Sequence, residues 1–153
     1  MPFPEEYGGL GGSVHLRAVN GINTLAEFVA YTKANPGKLN YATPGTGTVP
    51  HLAMELLKLR AGIDLVHIPY PAGGQAVQAL LGKSVEAVSL ATPQALPQVK
   101  SGKLRAIAVT GERRHSEFRD APTLKEAGIG EVYVYGWSAI YTRMETPDDV
   151  TDK

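Results

Sequence analysis

Residues 39–62 read Leu39-Asn-Tyr-Ala-Thr-Pro-Gly-Thr-Gly-Thr-Val-Pro-His-Leu-Ala-Met-Glu-Leu-Leu-Lys-Leu-Arg-Ala-Gly62, a complete strand-loop-helix unit. Residues 39–42 predict a short strand. The small residues Thr43 to Thr48 make a loop, and Pro50 sits in the first turn of a helix predicted over 49–61. Leu52, Ala53, Leu56 and Leu59 supply its expected apolar face.

The same alternation extends both ways from this unit. Upstream, Thr24-Leu-Ala-Glu27 is a capping box: the Thr24 hydroxyl can accept from the Glu27 amide while the Glu27 carboxylate reaches back. It opens a helix to about Ala34, with Leu25, Phe28 and Val29 on the buried stripe and Asn35-Pro-Gly37 ending it. Downstream, a buried strand is expected over 64–69, a turn at 70–74, a helix over 75–81, a strand over 85–90, a helix over 93–100 and an apolar, β-branched strand over 104–110. Strands separated by helix-length crossovers predict an α/β fold, a mostly parallel sheet with helices on both faces.

The charged stretch 111–121 reads as a solvated excursion. Thr123 and Glu126 form a second capping box, opening a short helix that Gly128 and Gly130 end. Residues 132–142 alternate like a long strand, and Thr146-Pro-Asp-Asp149 reads as a helix start with acidic residues in its first turn. Three segments are therefore expected: a flexible lead-in over 1–20, an α/β unit over 21–142, and the start of a connecting helix over 143–153. The Gly-rich lead-in carries neither the basic nor the apolar region of a signal peptide.

Bulk composition narrows the functional classes. The chain has 153 residues, 15 basic and 15 acidic, and the charges are scattered, so no nucleic-acid or anionic-membrane footprint exists. A chain of this length buries roughly two-thirds of its unfolded surface and needs no staple. With no cysteine, disulfides and thiolate metal sites are excluded.

Candidate chemistry gathers at the strand-to-helix turns. In the first, Gly45 and Gly47 let backbone N–H groups converge, the helix start behind them adds positive potential, and Thr43, Thr46 and Thr48 bring hydroxyls, so an anion is a fitting ligand. The same residues also fit a plain tight turn with Thr48 as N-cap. His51, in the helix's first turn, either reaches a carboxylate or hydrogen-bonds a neighbour. Tyr70, in the turn 70–74, either contacts a ligand or caps the core. Thr92 is the expected N-cap of a third turn, and the three turns on one rim would wall a cleft, where ligands of open α/β sheets bind.

Other chemistries find little support. Pro50 stands where a dinucleotide fingerprint needs its third glycine, and position 77 is Val where a P-loop needs Gly. His15, His51, His67 and His115 lack metal-ligand spacing, so no metal and no cofactor is expected. His67 reads as structural. No serine sits in a Gly-x-Ser-x-Gly elbow and no cysteine exists, so no catalytic residue is expected and the chain is read as a non-enzyme.

Several ordered segments resemble one family. They are Asn35-Pro-Gly-Lys-Leu-Asn-Tyr-Ala42, the Thr-x-Gly-x-Gly-Thr loop followed by His51-Leu52, Val66-His-Ile-Pro-Tyr70, Leu80-Leu-Gly82, Ala95-Leu-Pro97, residues 102–110, residues 121–128 and Thr146-Pro147. Together they resemble the solute-binding receptors of tripartite tricarboxylate transporters, the Bug family. The resemblance implies one lobe, the second, of a two-lobed periplasmic binding protein of type II. It also implies a small carboxylate as ligand, membrane transporter subunits as partners, and a periplasmic location. Thr43, Gly45, Thr46, Gly47, Thr48, Tyr70 and Gly73 match the family's ligand loops; the residue reading adds His51 and Thr92. Leu90-Ala91-Thr92 replaces a polar or acidic pair frequent in the family, and Pro71-Ala-Gly73 replaces a Lys-Gly-Gly, which points to a less polar acid. A different reading of the lobe is a stand-alone interaction module whose exposed cleft wall pairs two copies into a homodimer, with Trp137 and nearby tyrosines as the apolar contact.

Overall fold

The computed structural model describes residues 21–135 and the backbone of residues 12–16. Its elements run β1 (Gly12–Leu16), α1 (Leu25–Ala34), β2 (Asn40–Thr43), α2 (Val49–Ala61), β3 (Val66–Pro69), α3 (Gly73–Leu81), β4 (Ala87–Ala91), α4 (Thr92–Lys100) and β5 (Arg105–Val109). The strand and helix alternation expected from residue 24 to residue 110 is therefore present, with ends moved by one or two residues.

The five strands form one sheet in the order β3-β2-β4-β1-β5. β2 pairs parallel with β3 and with β4. β1 runs antiparallel to both β4 and β5, so four strands point one way and the inserted strand points the other. The expected mostly parallel sheet holds, with one correction. Residues 12–16 were assigned to a flexible lead-in, yet they occupy an interior position in the sheet, where β4 and β5 satisfy both edges.

Alternation along the strands sends side chains to two cores. Tyr41 of β2 and Ala87 of β4 face α1 and α2, packing with Leu25, Phe28, Met54 and Leu57. Their sequence neighbours Ala42 and Val88 face the opposite side, with Ala76, Val77 and Leu80 of α3 and Ala95 of α4. Helices thus cover both faces, which is why the strands read as continuous apolar runs.

Local signals explain the helix ends. The Thr24 capping box forms in full: the Glu27 amide donates to Thr24 Oγ1 at 3.2 Å and the Thr24 amide donates to Glu27 Oε2 at 3.0 Å. The amide of Asn23, donating to the same carboxylate oxygen at 2.6 Å, and then that of Thr24 hold the Glu27 carboxyl below the usual carboxylate range. α2 ends where Gly62 takes the left-handed conformation, φ 63°.

Four further expectations need correction. α2 buries Pro50, Ala53, Met54, Leu57 and Ala61, whereas Leu52 and Leu59 are 52% and 76% exposed. The leucines misled because two overlapping stripes fit a period near 3.6, and the one carrying Met54 and Leu57 faces the sheet. β3, expected as buried, is an edge strand with exposed or half-buried residues, since only β2 pairs with it. The second capping box also forms, with the Glu126 amide donating to Thr123 Oγ1 at 3.1 Å, but residues 124–128 make turns instead of a helix. Within the charged stretch 111–121, Phe118 and Ala121 are buried in the second core, so the excursion is pinned.

Residues 131–134 are not strand, and Tyr135 makes only a bridge. The rest of the strand expected to residue 142, Trp137, and the helix start at Thr146 lie outside the described residues.

Leu57→Ala is expected to lower unfolding free energy by about 2–5 kcal/mol by opening a cavity, while Leu59→Ala stays within about 0.5 kcal/mol. Urea denaturation of the two variants measures the difference, and equal losses would contradict the assigned buried face.

Candidate functional site

β2, β3 and β4 each run at their carboxyl ends into the start of a helix, α2, α3 and α4 respectively. A helix leaves its first amides without intrahelical acceptors, and side chains at the N-cap usually supply them. Here they do not: the N-caps Thr48, Ala72 and Ala91 make no side-chain capping bond. α1 is the contrast, with its box closed on itself. Its preceding Asn23 lines a cavity of about 730 Å³ with Leu104 and Arg105, at the starting end of β5 and so at the opposite end of the sheet. That cavity mixes both charge signs, and its Glu117 is already paired with Lys100 at 2.7 Å. The three helix starts without side-chain caps gather at the other end of the sheet, an arrangement that favours negative charge there.

The loop after β2 is braced from within. Thr48 Oγ1 donates to the Gly45 carbonyl at 2.8 Å, and Thr43 Oγ1 donates to the same oxygen at 3.0 Å. The Gly47 amide donates to His51 Nδ1 at 3.0 Å. Gly45 and Gly47 take φ of 118° and 78°, which the loop requires and other residues resist. The hydroxyl protons of Thr43 and Thr48, read from sequence as donors for a ligand, thus serve the loop itself. Thr46 is exposed at the loop's tip.

The remaining predicted residues are brought to this loop in two steps. The Tyr70 amide donates to the Thr43 carbonyl at 2.9 Å, tying the ends of β2 and β3 together, while the Tyr70 side chain packs half-buried against the second core. Gly73, at the first position of α3, touches α4: a Cβ there would lie 2.6 Å from Gln94 Oε1. Thr92 is buried at the first position of α4, with Ala91 as N-cap in its place. Thr43, Gly45, Thr46, Gly47, Thr48 and His51 therefore share one loop, and Tyr70, Gly73 and Thr92 extend the same rim.

Two residues were missed in the sequence reading. Gln94 lies across Gly73, between the starts of α3 and α4. His67, read as structural, sits directly under the loop, with Nε2 2.7 Å from Thr43 Oγ1. Its ring stacks on His51 at 4.1 Å and on Tyr41 at 4.9 Å. Burial pushes the His67 imidazole below its usual range, and His51 pushes the same way. Beneath them the Tyr41 hydroxyl donates to Glu55, which Lys58 also contacts at 2.9 Å. Burial would raise the Glu55 carboxyl, but the bonds from Tyr41 and Lys58 outweigh it and hold it low. Only the pairing of β2 with β3 brings residues 41, 43 and 67 together, so spacing carried no signal of it.

Comparisons with known proteins identify the family and the fold. A family model described as a tripartite tricarboxylate transporter family receptor matches residues 12–153. A Cupriavidus necator protein, the UPF0065 protein in the gbd 5' region, is 49% identical over 111 residues, covering 72% of this chain and 34% of that relative. The structure of MatC from Rhodopseudomonas palustris with bound malate is 27% identical with a TM-score of 0.76, covering 82% of this chain and 42% of the other. That of the R. palustris protein Rpa4515 with adipate shares the fold at a TM-score of 0.88 and 22% identity, covering 95% and 48%. The chain thus spans less than half the length of each of these three. The expected fold class, an α/β lobe of a periplasmic binding protein, is the fold found.

Gly45→Ala is expected to destabilise the protein by about 1–3 kcal/mol through its φ alone, because the added Cβ meets only ordinary contacts. Gly74→Ala, inside α3 with open space around it, should instead gain about 0.4–1 kcal/mol. Thermal unfolding of both variants checks the opposite signs.

Proposed function

The chain belongs to the tripartite tricarboxylate transporter receptor family, and from that premise we propose that it is a ligand-binding lobe that captures a small carboxylate outside the cytoplasm for an uptake system. The observation that carries this reading is the rim of three helix starts, α2, α3 and α4, whose N-caps make no side-chain capping bond. Amide protons cannot be lost at any physiological pH, and the dipoles behind them favour negative charge by about 0.3–1 kcal/mol each when exposed, more when partly buried. A carboxylate seated there accepts from first-turn amides that no N-cap side chain occupies.

The receptor family is not an enzyme family, and the Thr43 hydroxyl, though 2.7 Å from His67 Nε2, is buried and spends its proton on the Gly45 carbonyl. Its ligand residues are Thr43, Gly45, Thr46, Gly47, Thr48, His51, Tyr70, Gly73 and Thr92. Thr43 and Thr48 act by shaping the loop. Gly73 acts by leaving room for Gln94, and Thr46 and the first-turn amides face the ligand. A dicarboxylate such as the malate of MatC suits the site, one carboxylate to the helix starts and the other to a facing lobe. Pro71 and Ala72 place no cation at the start of α3, so the amides carry the recognition and a less polar acid is the better fit. The partners are membrane transporter subunits, and the location is the periplasm.

Half of the buried contacts of such a ligand lie on a facing lobe, so this chain alone should bind malate or adipate in the millimolar range, near −4 kcal/mol. Isothermal titration with each acid tests it. Gly74→Asp, which places a carboxylate in the first turn of α3 where there is open space, should compete with the ligand and weaken binding several-fold. Unchanged affinity in that variant, or no heat with either acid at tens of millimolar, would remove the support for this reading.

A further inference from the structure

The anion loop is held by two imidazoles, and the bond to one of them, His51, depends on protonation. His51 Nδ1 accepts the Gly47 amide at 3.0 Å, which requires its lone pair. His67 Nε2 meets Thr43 Oγ1 at 2.7 Å, and that hydroxyl already donates to the Gly45 carbonyl. With its one proton spent there, the hydroxyl accepts from His67 Nε2–H, which fixes the neutral tautomer. The two rings lie face to face, 4.1 Å apart and 21° from parallel. Two stacked imidazolium charges at that distance repel.

The charged neighbours act in opposite senses on such a charge, Glu55 favouring it and Lys58 opposing it. Tyr41 covers the other face of His67 at 4.9 Å and, through its hydroxyl, is committed to Glu55. Glu55 is paired with Lys58, whose Nζ lies 5.7 Å over the Tyr41 ring, so the carboxylate nearest the stack is already matched by a cation. Burial and His51 both hold the His67 imidazole below its usual range, as expected of a ring that works uncharged.

We propose that His67 is a positioning residue for the anion loop, acting through Thr43 and His51, and that the stack makes ligand capture proton-sensitive: acid converts the His51 acceptor into a donor facing the Gly47 amide, releases the loop and weakens binding. This rests on the carboxylate-receptor reading above. The sign is fixed by the bonds. The loop is braced with the stack neutral, so affinity is full above the ordinary imidazole range and falls as pH drops through and below it.

The test is the ratio of the malate Kd at about pH 5 to that at about pH 7.5, measured by titration calorimetry on the whole chain and on two variants, His67→Gln and His51→Asn. Each variant's amide can keep a hydrogen bond without titrating, and using each protein's own ratio cancels the ionisation of malate. The unsubstituted chain should show a ratio about tenfold larger than His51→Asn, the equivalent of one proton site shifted by about one unit, whereas His67→Gln, which keeps the His51 acceptor, should weaken binding at both pH values and stay proton-sensitive. Equal ratios in all three proteins would overturn the proposal. So would a smaller ratio in the unsubstituted chain, since that result makes the His51 imidazolium a direct counter-ion for the ligand.

A second measurement separates this proposal from the receptor reading. In the ligand-free protein the amide resonance of Gly47 should titrate together with the His51 and His67 ring protons, and should stop doing so in His51→Asn. If malate fails to bind while Gly47 still titrates, the ligand assignment is wrong and the proton-sensitive brace stands. A Gly47 amide that ignores the histidines overturns the brace whatever the ligand.

Discussion

Every helix starts with amides that its own backbone cannot satisfy, and that constraint organises this molecule. α1 answers it with the closed Thr24–Glu27 box. α2, α3 and α4 begin without such side-chain caps, and each follows directly from a strand of the same direction, so their starts gather at one end of the sheet. The parallel arrangement is what concentrates these dipoles; antiparallel neighbours would have split them between two ends. Burial on both faces holds the strands in place, and the rim inherits that rigidity from the two cores.

The loop after β2 shows how a flexible composition becomes a fixed shape. Two glycines permit the backbone path, and the Gly45 carbonyl then accepts from two threonine hydroxyls at once. A loop rich in small residues has much entropy to lose, so ordering it before a ligand arrives removes part of the cost of binding. His51 and His67 extend the brace downwards to Tyr41, Glu55 and Lys58, joining the rim to the first core through rings and charges in contact.

The sequence made the fold legible wherever the signal was local. Capping at Thr24, the helix over 49–61 and the strand-helix alternation from residue 24 to residue 110 depend on neighbours a few positions apart, and all are present. Signals that depend on the third dimension were not legible. Nothing in residues 12–16 announces a strand, because its pairing partners lie in β4 and β5. The buried face of α2 is chosen by the sheet, and the leucine stripe through Leu52 and Leu59 lost to the one through Met54 and Leu57. The capping pair at Thr123 and Glu126 formed its bonds without a helix, since a first turn closed by side chains does not oblige the chain to continue. For the candidate rim, the glycines and the three turns were visible, whereas the use of threonine protons within the loop, the place of Gln94 and the role of His67 required distances.

The reversed strand β1 also has a mechanical meaning. Among the described residues it is the sole hydrogen-bonded link between β4 and β5, which do not pair with each other. Both of its partners lie far along the chain, so the sheet cannot close until the polypeptide has doubled back on itself, and such long-range closure makes for slow folding. A pull on the residues before Gly12 would load both ladders lengthwise, in shear, and withdrawing that one short segment would split the sheet into a three-stranded piece and a lone strand.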